Sequence, residues 1–524
     1  MKGAESQYTL SIPLNLQNRK IRNFFVFLVC VGGLLLRLRT PAQAREVLIV
    51  PDGVEYSVSA MNLMEGKGYT LAIEGRAYPP RAPFGYSLCL IPFYFFLGKS
   101  LGNGIFCTLF FSVASGFLIF SLARHLFNEK VAFWSILFLA LSPIHLYWSR
   151  QIMADIPTSF FALLCFWFYF GGDIMPSRAF LLGVFLGFGC WVKYVNLLFI
   201  FPILISLFRK NIPFRKMFFS GASFLTGFIL SLSPLLWYNH SVFGDFFKTG
   251  FSFWIPHWMQ FKNFLSSRYA FHKPRFPQGG PPGFLAFWEF LLGCVVPWHQ
   301  NPYPFFLAPF LGVGTLRILR NNSSKTDRKR EFLFFTTLTA GFFYVFFGFY
   351  FAQNMRYFLP IMPLLLILVG VGFDYFFDQC PRVLETCFFI FIGTFLIVSP
   401  FLLWKVDQRP FLKKTYRQLI EYKTEENARI ITAWDPVSFF HEIQRGSEKS
   451  YIPISEGVEY IRKLSLPDPK RKFFIGISLS EAPAYLDSLS CKSYPAECAL
   501  LKKKFRLQEV ASSDEIRLYR LEGI

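Results

Sequence analysis

Charge is scarce in this chain: Asp, Glu, Lys and Arg supply only 17% of its 524 residues, against 53% hydrophobic residues and 70 Phe, and the mean hydropathy is positive. So little charge excludes an ordinary water-soluble fold. There is no CxxC pair to suggest a zinc centre, no glycine-rich phosphate loop, no internal repeat and no low-complexity tract. Short alternating segments of the kind that build a transmembrane β-barrel are also missing. What the sequence has instead is many separate apolar runs near the roughly 20 residues that a helix needs to cross a hydrocarbon core about 30 Å thick. The net charge of +21 would suit a nucleic acid, but Lys and Arg mostly fill short linkers between apolar runs. We read that charge as membrane topology and expect no nucleic-acid partner. Of the 10 Cys, all but Cys491 and Cys498 lie in or beside apolar runs, where a small buried hydrophobe is the simpler reading. Those two can pair if their region is in an oxidising compartment, or stand as neighbouring free thiols.

The polar N-terminal segment ends in Arg19, Lys20 and Arg22 before the apolar run Phe24–Leu36. Ala42-Gln43-Ala44 has the form of a signal-peptidase site, although Arg37 and Arg39 argue against cleavage. Either way residue 45 ends up outside. Further spans are expected at about 102–123, 131–147, 156–171, 179–192, 195–208, 217–238, 303–319, 332–352, 357–375 and 383–404, eleven with the first. The linkers that this register assigns to the cytoplasm carry Arg124 and Lys130, then Arg209, Lys210, Arg215 and Lys216, then Arg317, Arg320, Lys325, Arg328, Lys329 and Arg330. The apolar stretches 84–97 and 284–297 would break the parity, and are expected to be re-entrant or interfacial, or else one extra pair of spans. The fold class is therefore a polytopic α-helical membrane protein. Residues 1–404 form the membrane part and 405–524 a small extracytoplasmic α/β domain, with strands at Ala428–Trp434, Tyr451–Ile454, Lys472–Ser478 and Ile516–Leu521 and helices such as Val458–Leu464.

By parity the loop from about 40 to 83, the turn Arg150–Asp155, the loop 239–283 and the tail after Trp404 face outside. In the first loop, Val54, Val58 and Met61 suggest an amphipathic interfacial helix that stops at Gly66 and Gly68. Asp52 precedes it, either as an N-cap or as an ionised general base, with Glu55 one turn on. Pro79, Pro80 and Pro83 stiffen the segment around Arg81 and hold it near headgroup depth, where a guanidinium either grips a lipid phosphate or merely snorkels. Asp155 begins a span, where an unpaired carboxylate is costly. Lys193 and Arg356 mark two more outer boundaries, as helix anchors or as ligands. Three cations and two acids on one face suit a phosphorylated, lipid-borne substrate. The long loop 239–283, with Trp254, Trp258, Arg268 and His272, is expected to help shape the pocket.

Taken in order, Asp52-Gly53-Val54-Glu55-Tyr56, Gly66-Lys67-Gly68-Tyr69, Arg81-Ala82-Pro83-Phe84-Gly85-Tyr86, Asp155-Ile156-Pro157 and Arg356-Tyr357-Phe358-Leu359-Pro360 resemble the GT-C glycosyltransferases of the family 39, protein-mannosyltransferase-like group, which includes aminoarabinose transferases. The resemblance implies transfer of a sugar from a polyprenyl-phosphate carrier to a glycan, lipid or protein acceptor, with inversion, outside a bacterial inner membrane. It implies Asp52 as base, Asp155 as second acid, and Lys193, Arg81 and Arg356 near the carrier phosphate, with Glu55 and Tyr86 among the substrate-binding residues. Gly53 stands where protein mannosyltransferases usually have Glu after Asp, which argues against protein O-mannosylation proper. No cofactor is required, and a divalent metal between Asp52 and Asp155 is left open. A transporter or flippase for a lipid-linked saccharide is the alternative, although such proteins favour midplane charges and repeats.

Overall fold

The computed structural model describes residues 51–73, 76–173, 175–209, 213–254, 264–271, 283–295, 298–320, 327–350 and 354–379. Towards the C-terminus it describes 429–432, 450–453, 484–487, 495–512 and 517–523, with a few isolated residues elsewhere. The first expected span, Phe24–Leu36, falls almost wholly outside this set, and the last, 383–404, entirely so.

The chain begins with α1 (Pro51–Met64), the hairpin β1 (Leu71–Ile73) and β2 (Arg76–Tyr78), and α2 (Gly85–Leu97). There follow α3 (Ile105–Leu126), α4 (Glu129–Ala140), α5 (Pro143–Trp148), α6 (Asp155–Phe170), α7 (Pro176–Val192), α8 (Ile200–Arg209) and α9 (Phe214–Phe243). Then come the short α10 (Gly250–Trp254) and α11 (Ser267–Phe271), and α12 (Gly283–Leu292), α13 (Ala308–Arg320), α14 (Asp327–Phe349) and α15 (Met362–Gln379). By length and composition, four helices among the described residues are long and apolar enough to cross a membrane: Leu101–Leu126, Phe214–Phe243, Arg328–Phe349 and Met362–Gln379. Phe214, Phe218 and Phe219 stand exposed on one of them, as lipid contact rather than water contact would favour. The protein is thus mostly helical and membrane-integral. At 1.5 Å per residue, α2 and α12 reach only about 20 and 15 Å, too short to cross about 30 Å of hydrocarbon.

Two expectations change at the local level. The expected span 131–147 is broken, because Ser142 adopts an extended conformation ahead of Pro143 and caps α5 by accepting from the His145 N–H. The first-loop helix starts at Pro51, so Asp52 lies inside its first turn rather than before it. Nor does α1 lie half in water. Residues Gly53–Ala60 are buried all round, and the polar groups on the helix find protein partners. Ser57 Oγ donates to the Gly53 carbonyl at 2.7 Å and accepts from Tyr94 Oη at 2.7 Å, Ser59 Oγ donates to the Glu55 carbonyl, and Asn62 Nδ2 donates to the Thr70 carbonyl. Its end is marked as expected by Gly66 and Gly68, both at positive φ.

The bundle is drawn together by glycine contacts. A Cβ on Gly183 of α7 would lie 2.1 Å from the Phe224 carbonyl oxygen of α9, and one on Gly227 of α9 would lie 2.2 Å from the Phe180 oxygen. Gly314 and Gly372 bring α13 against α15 in the same way. Such close backbone approach is how apolar helices associate where lipid removes the hydrophobic drive.

Near the C-terminus a five-stranded sheet has the order β4-β3-β5-β7-β6, where β3 (Arg429–Thr432), β4 (Ser450–Pro453), β5 (Ala484–Asp487), β6 (Phe505–Ser512) and β7 (Arg517–Gly523) are numbered along the chain. β3 runs parallel to β4 and β5, and β7 antiparallel to β5 and β6. A helix, α16 (Pro495–Lys504), precedes β6, and Cys498 within it is disulfide-bonded, while Cys491 lies outside the described residues. Three of the expected strands overlap β3, β4 and β7. The strand at Lys472–Ser478 and the helix at Val458–Leu464 fall outside the described residues, and β5 and β6 were not foreseen. β4 lies against β1, which puts the sheet on the side of the first loop.

Gly227→Ala is expected to lower the thermal midpoint of the detergent-solubilised protein clearly, since overpacking costs about 1–3 kcal/mol. Gly221→Ala on the same helix, where a Cβ meets nothing within 4 Å, should leave it unchanged. Equal midpoints for the two variants would contradict the close α7–α9 contact.

Candidate active site

Five separate stretches of chain deliver charged groups to one end of the bundle. Asp52 and Glu55 come from the first turns of α1, and Arg81 from the segment after the hairpin. Asp155 opens α6, Lys193 follows α7 in an extended conformation, and Arg356 sits in a 3-10 turn ahead of α15, its own main-chain N–H donating to Asn354 Oδ1. A carboxylate in the first turn of a helix is favoured by the helix dipole, which suits Asp52 and Asp155.

The groups interlock. Arg81 Nη2 donates to Asp52 Oδ1 at 2.7 Å, and Arg356 Nη2 donates to the other oxygen, Oδ2, at 3.1 Å. Arg81 Nε donates to Glu55 Oε2 at 3.0 Å. Lys193 Nζ donates to Asp155 Oδ1 at 2.5 Å. Aromatic rings carry the cations: Lys193 Nζ is 5.0 Å from the centre of the Tyr357 ring, and the Arg356 guanidinium is 5.2 Å from Trp148 and 5.7 Å from Tyr357. Asp52 therefore holds two cations and Asp155 one, and the charge of Arg356 is felt by both carboxylates. Asp52 is the most open of the carboxylates, its side chain 26% exposed against 2% for Glu55 and 1% for Asp155. Burial alone would raise the Asp52 carboxyl, but the guanidinia of Arg81 and Arg356 outweigh it and hold the group at about 2. For Glu55 burial prevails over Arg81, and the neighbouring charge of Asp52 adds to it, so that carboxyl is raised. Asp155 Oδ2 and Arg356 Nε are buried without a hydrogen-bond partner, leaving one acceptor and one donor free at the cluster.

The sequence placed Asp52, Glu55, Arg81, Asp155, Lys193 and Arg356 at one surface, and the fold brings all six together. Tyr86 is different. It is fully buried, its hydroxyl 2.6 Å from Thr108 Oγ1 and its ring edge-on to Tyr56 at 4.9 Å, so it supports the floor under α1 and offers no surface to a substrate. Glu55 is likewise closed off, contrary to its expected place among the substrate ligands. Among the described residues of the loop 239–283, Phe251 reaches the cluster, its ring 5.9 Å from Arg81 Cζ, whereas Trp258, His272 and the Trp254 side chain lie outside the described residues. Trp148, Tyr357 and Phe251 were missed as cation partners; Tyr357 adjoins Arg356 in the chain, and no candidate charge lies near the other two in sequence. Among the described residues no three His, Cys, Asp or Glu side chains converge on one point. Both Asp52 oxygens face guanidinia, a setting that repels a divalent ion, so the chemistry below is derived without one.

Fold and site together define a membrane-embedded protein with a buried, mixed-charge cluster at one end of an apolar bundle. Residues 81–238, which include Arg81, Asp155 and Lys193, match the family model described as dolichyl-phosphate-mannose-protein mannosyltransferase. The structure of ArnT from Cupriavidus metallidurans in the apo state is similar to this chain with a TM-score of 0.61 at 13% identity, over 95% of this chain and 98% of that one. The same protein bound to undecaprenyl phosphate aligns with a TM-score of 0.58 at 12% identity, over 95% and 97%. An oligosaccharyltransferase from Archaeoglobus fulgidus in the apo form aligns with a TM-score of 0.53 at 11% identity, over 94% of this chain and 73% of that one. No curated protein matches by sequence. The family match is confined to residues 81–238, and the likeness to the solved structures, at 11–13% identity, is one of fold.

The depressed Asp52 carboxyl has a consequence for stability. A group at about 2 in the folded protein and 3.8 unfolded contributes about 2 kcal/mol, fully present above pH 4 and lost as pH falls through 2. Asp52→Asn should therefore melt below the wild type at pH 7, and the gap should narrow between pH 4 and 3. A gap that stays constant down to pH 3 would remove the ion-pair explanation.

Proposed function

We infer that the protein transfers a sugar from a polyprenyl-phosphate carrier to an acceptor at the extracytoplasmic face, with inversion at the anomeric carbon. The observation that carries this reading is Asp52 held between the guanidinia of Arg81 and Arg356, with Lys193 beside them, where the apolar helices end. A phosphodiester headgroup on a long apolar tail matches that combination of cations and hydrocarbon-facing surface. The similar structure of ArnT bound to undecaprenyl phosphate supports the same donor class.

In this mechanism the acceptor hydroxyl or amine attacks the anomeric carbon, the bond from that carbon to the phosphate oxygen breaks, and the acceptor proton passes to Asp52. The electron pair stays on the departing polyprenyl phosphate, where Arg81, Lys193 and Arg356 stabilise the added charge. At about 2 the resting Asp52 is fully ionised but a weak base. A bound phosphate competes with Asp52 for the charge of the two guanidinia, and Asp52 becomes more basic as that charge is shared. Asp155 holds Lys193 in place.

Three features support this membrane side. Arg124, Lys130, Arg317 and Arg328 collect at the helix ends away from the site, as the positive-inside rule expects of a cytoplasmic face. The C-terminal sheet lies against the hairpin, and the disulfide at Cys498 suits an oxidising compartment. We place residues 405–524 as a separate α/β domain on that outer side, count about eleven spans in all, and assign the protein to a bacterial inner membrane with the site facing the periplasm.

Asp52→Asn should retain expression and fold yet lose transfer by at least about a hundredfold, as removal of a general base does. Turnover near wild type with purified polyprenyl-phosphate sugar would sink the assignment. Lys193→Ala should raise the donor KM more than the acceptor KM. An unchanged donor KM would remove Lys193 from the phosphate site.

A further inference from the structure

Glu55 is engaged almost entirely by one other residue. Its Oε2 accepts from Arg81 Nε at 3.0 Å, and its Oε1 accepts from the Arg81 main-chain N–H and from the Ala82 N–H at 3.3 Å. With the side chain 2% exposed, no face of the carboxylate is left for a substrate. The same segment is closed from its other sides. Tyr69 Oη donates to the Ala82 carbonyl at 3.0 Å, and a Cβ added to Gly250 would meet the Pro80 oxygen at 1.9 Å and Arg81 Cα at 2.6 Å. Arginine has a long stem with many rotamers, and fixing both its main chain and Nε leaves the guanidinium plane little freedom. Nη2 then points to Asp52, at 2.7 Å.

We propose that Glu55 is a positioning residue: it clamps Arg81 by main chain and side chain so that the guanidinium is presented to Asp52 and to the carrier phosphate, without touching substrate itself. The proposal rests on the glycosyl-transfer reading of the site. An acceptor-only carboxylate is suited to this task, because it can take three N–H donors at once. A glutamine in its place keeps one acceptor oxygen and turns an N–H group towards the N–H groups of Arg81.

The test uses the purified full chain in detergent, with undecaprenyl phosphate as the probe. Glu55→Gln should weaken its binding roughly tenfold, the scale of a hydrogen bond to a charged group. The donor KM should rise in step, with a smaller fall in kcat. Arg81→Lys removes the forked contact, so the double variant should bind no worse than Arg81→Lys alone. Losses that add, or a wild-type Kd for Glu55→Gln, overturn the clamp. A purely structural role would lower the thermal midpoint and the folded fraction while leaving the Kd of the folded protein at the wild-type value, which also overturns it. If Asp52→Asn is inactive while Glu55→Gln binds normally, only the clamp falls. If the wild type does not bind undecaprenyl phosphate, the transfer reading falls and the clamp with it.

Discussion

Charged side chains at the end of an apolar bundle cannot be left alone, and one end of this protein is built around pairing them. Asp52, Glu55 and Asp155 face Arg81, Arg356 and Lys193, and each pair joins stretches of chain far apart in sequence. Asp52 ties α1 to the turn before α15 through Arg356, and Asp155 ties the start of α6 to the end of α7 through Lys193. Removing one partner of a buried pair leaves an uncompensated charge, commonly worth 3–5 kcal/mol at roughly this depth. The same ion pairs therefore align the helices and assemble the site.

Self-pairing also sets the resting chemistry. With three acids against three cations the cluster needs no bound ion to be stable, so an arriving phosphate must compete with carboxylates for the guanidinia. In the proposed mechanism that competition links donor binding to base strength: Asp52 is weakest as a base while Arg81 and Arg356 serve it alone and gains basicity as they share their charge with the phosphate. A carboxylate held near its resting value would lack this coupling. The aromatic rings of Trp148 and Tyr357 give Arg356 and Lys193 a surface that attracts cations in either arrangement.

Much of this was legible in the sequence because each charge interrupts an apolar pattern. Asp155 and Arg356 stand out for this reason. What could not be read was who pairs with whom. Asp52 and Arg356 are 304 positions apart, and nothing local links them. The resemblance counted Glu55 among the substrate ligands, yet the segment that folds over it closes it off. The periodicity of α1 suggested a half-wetted helix, since a pattern of Ser57, Ser59 and Asn62 cannot show that Tyr94 and main-chain carbonyls satisfy those groups. The span 131–147 was drawn through Ser142-Pro143 because hydropathy outweighed a cap-and-proline signal that was plainly there. Tyr86 was named from its motif, and only packing reveals that its hydroxyl is taken by Thr108.

Two helices measure the distance between the site and the opposite surface. α6 begins with Asp155 in the cluster and ends just before Asp173, which pairs with Arg328 at 3.6 Å. α15 follows Arg356 and ends with Asp374 and Asp378, which pair with Arg317 at 3.5 Å and Lys130 at 2.9 Å. Each end thus has its own set of ion pairs, with apolar helix between them. At the basic end the arginines and lysines are a third or more exposed and their pairs contribute little. At the other end the cations are 14–22% exposed and ringed by aromatic side chains. The basic end matches what topology alone requires of a linker. Topology does not require the burial at the acidic end, and chemistry on a charged substrate does, because fixed charges act most strongly where water is excluded.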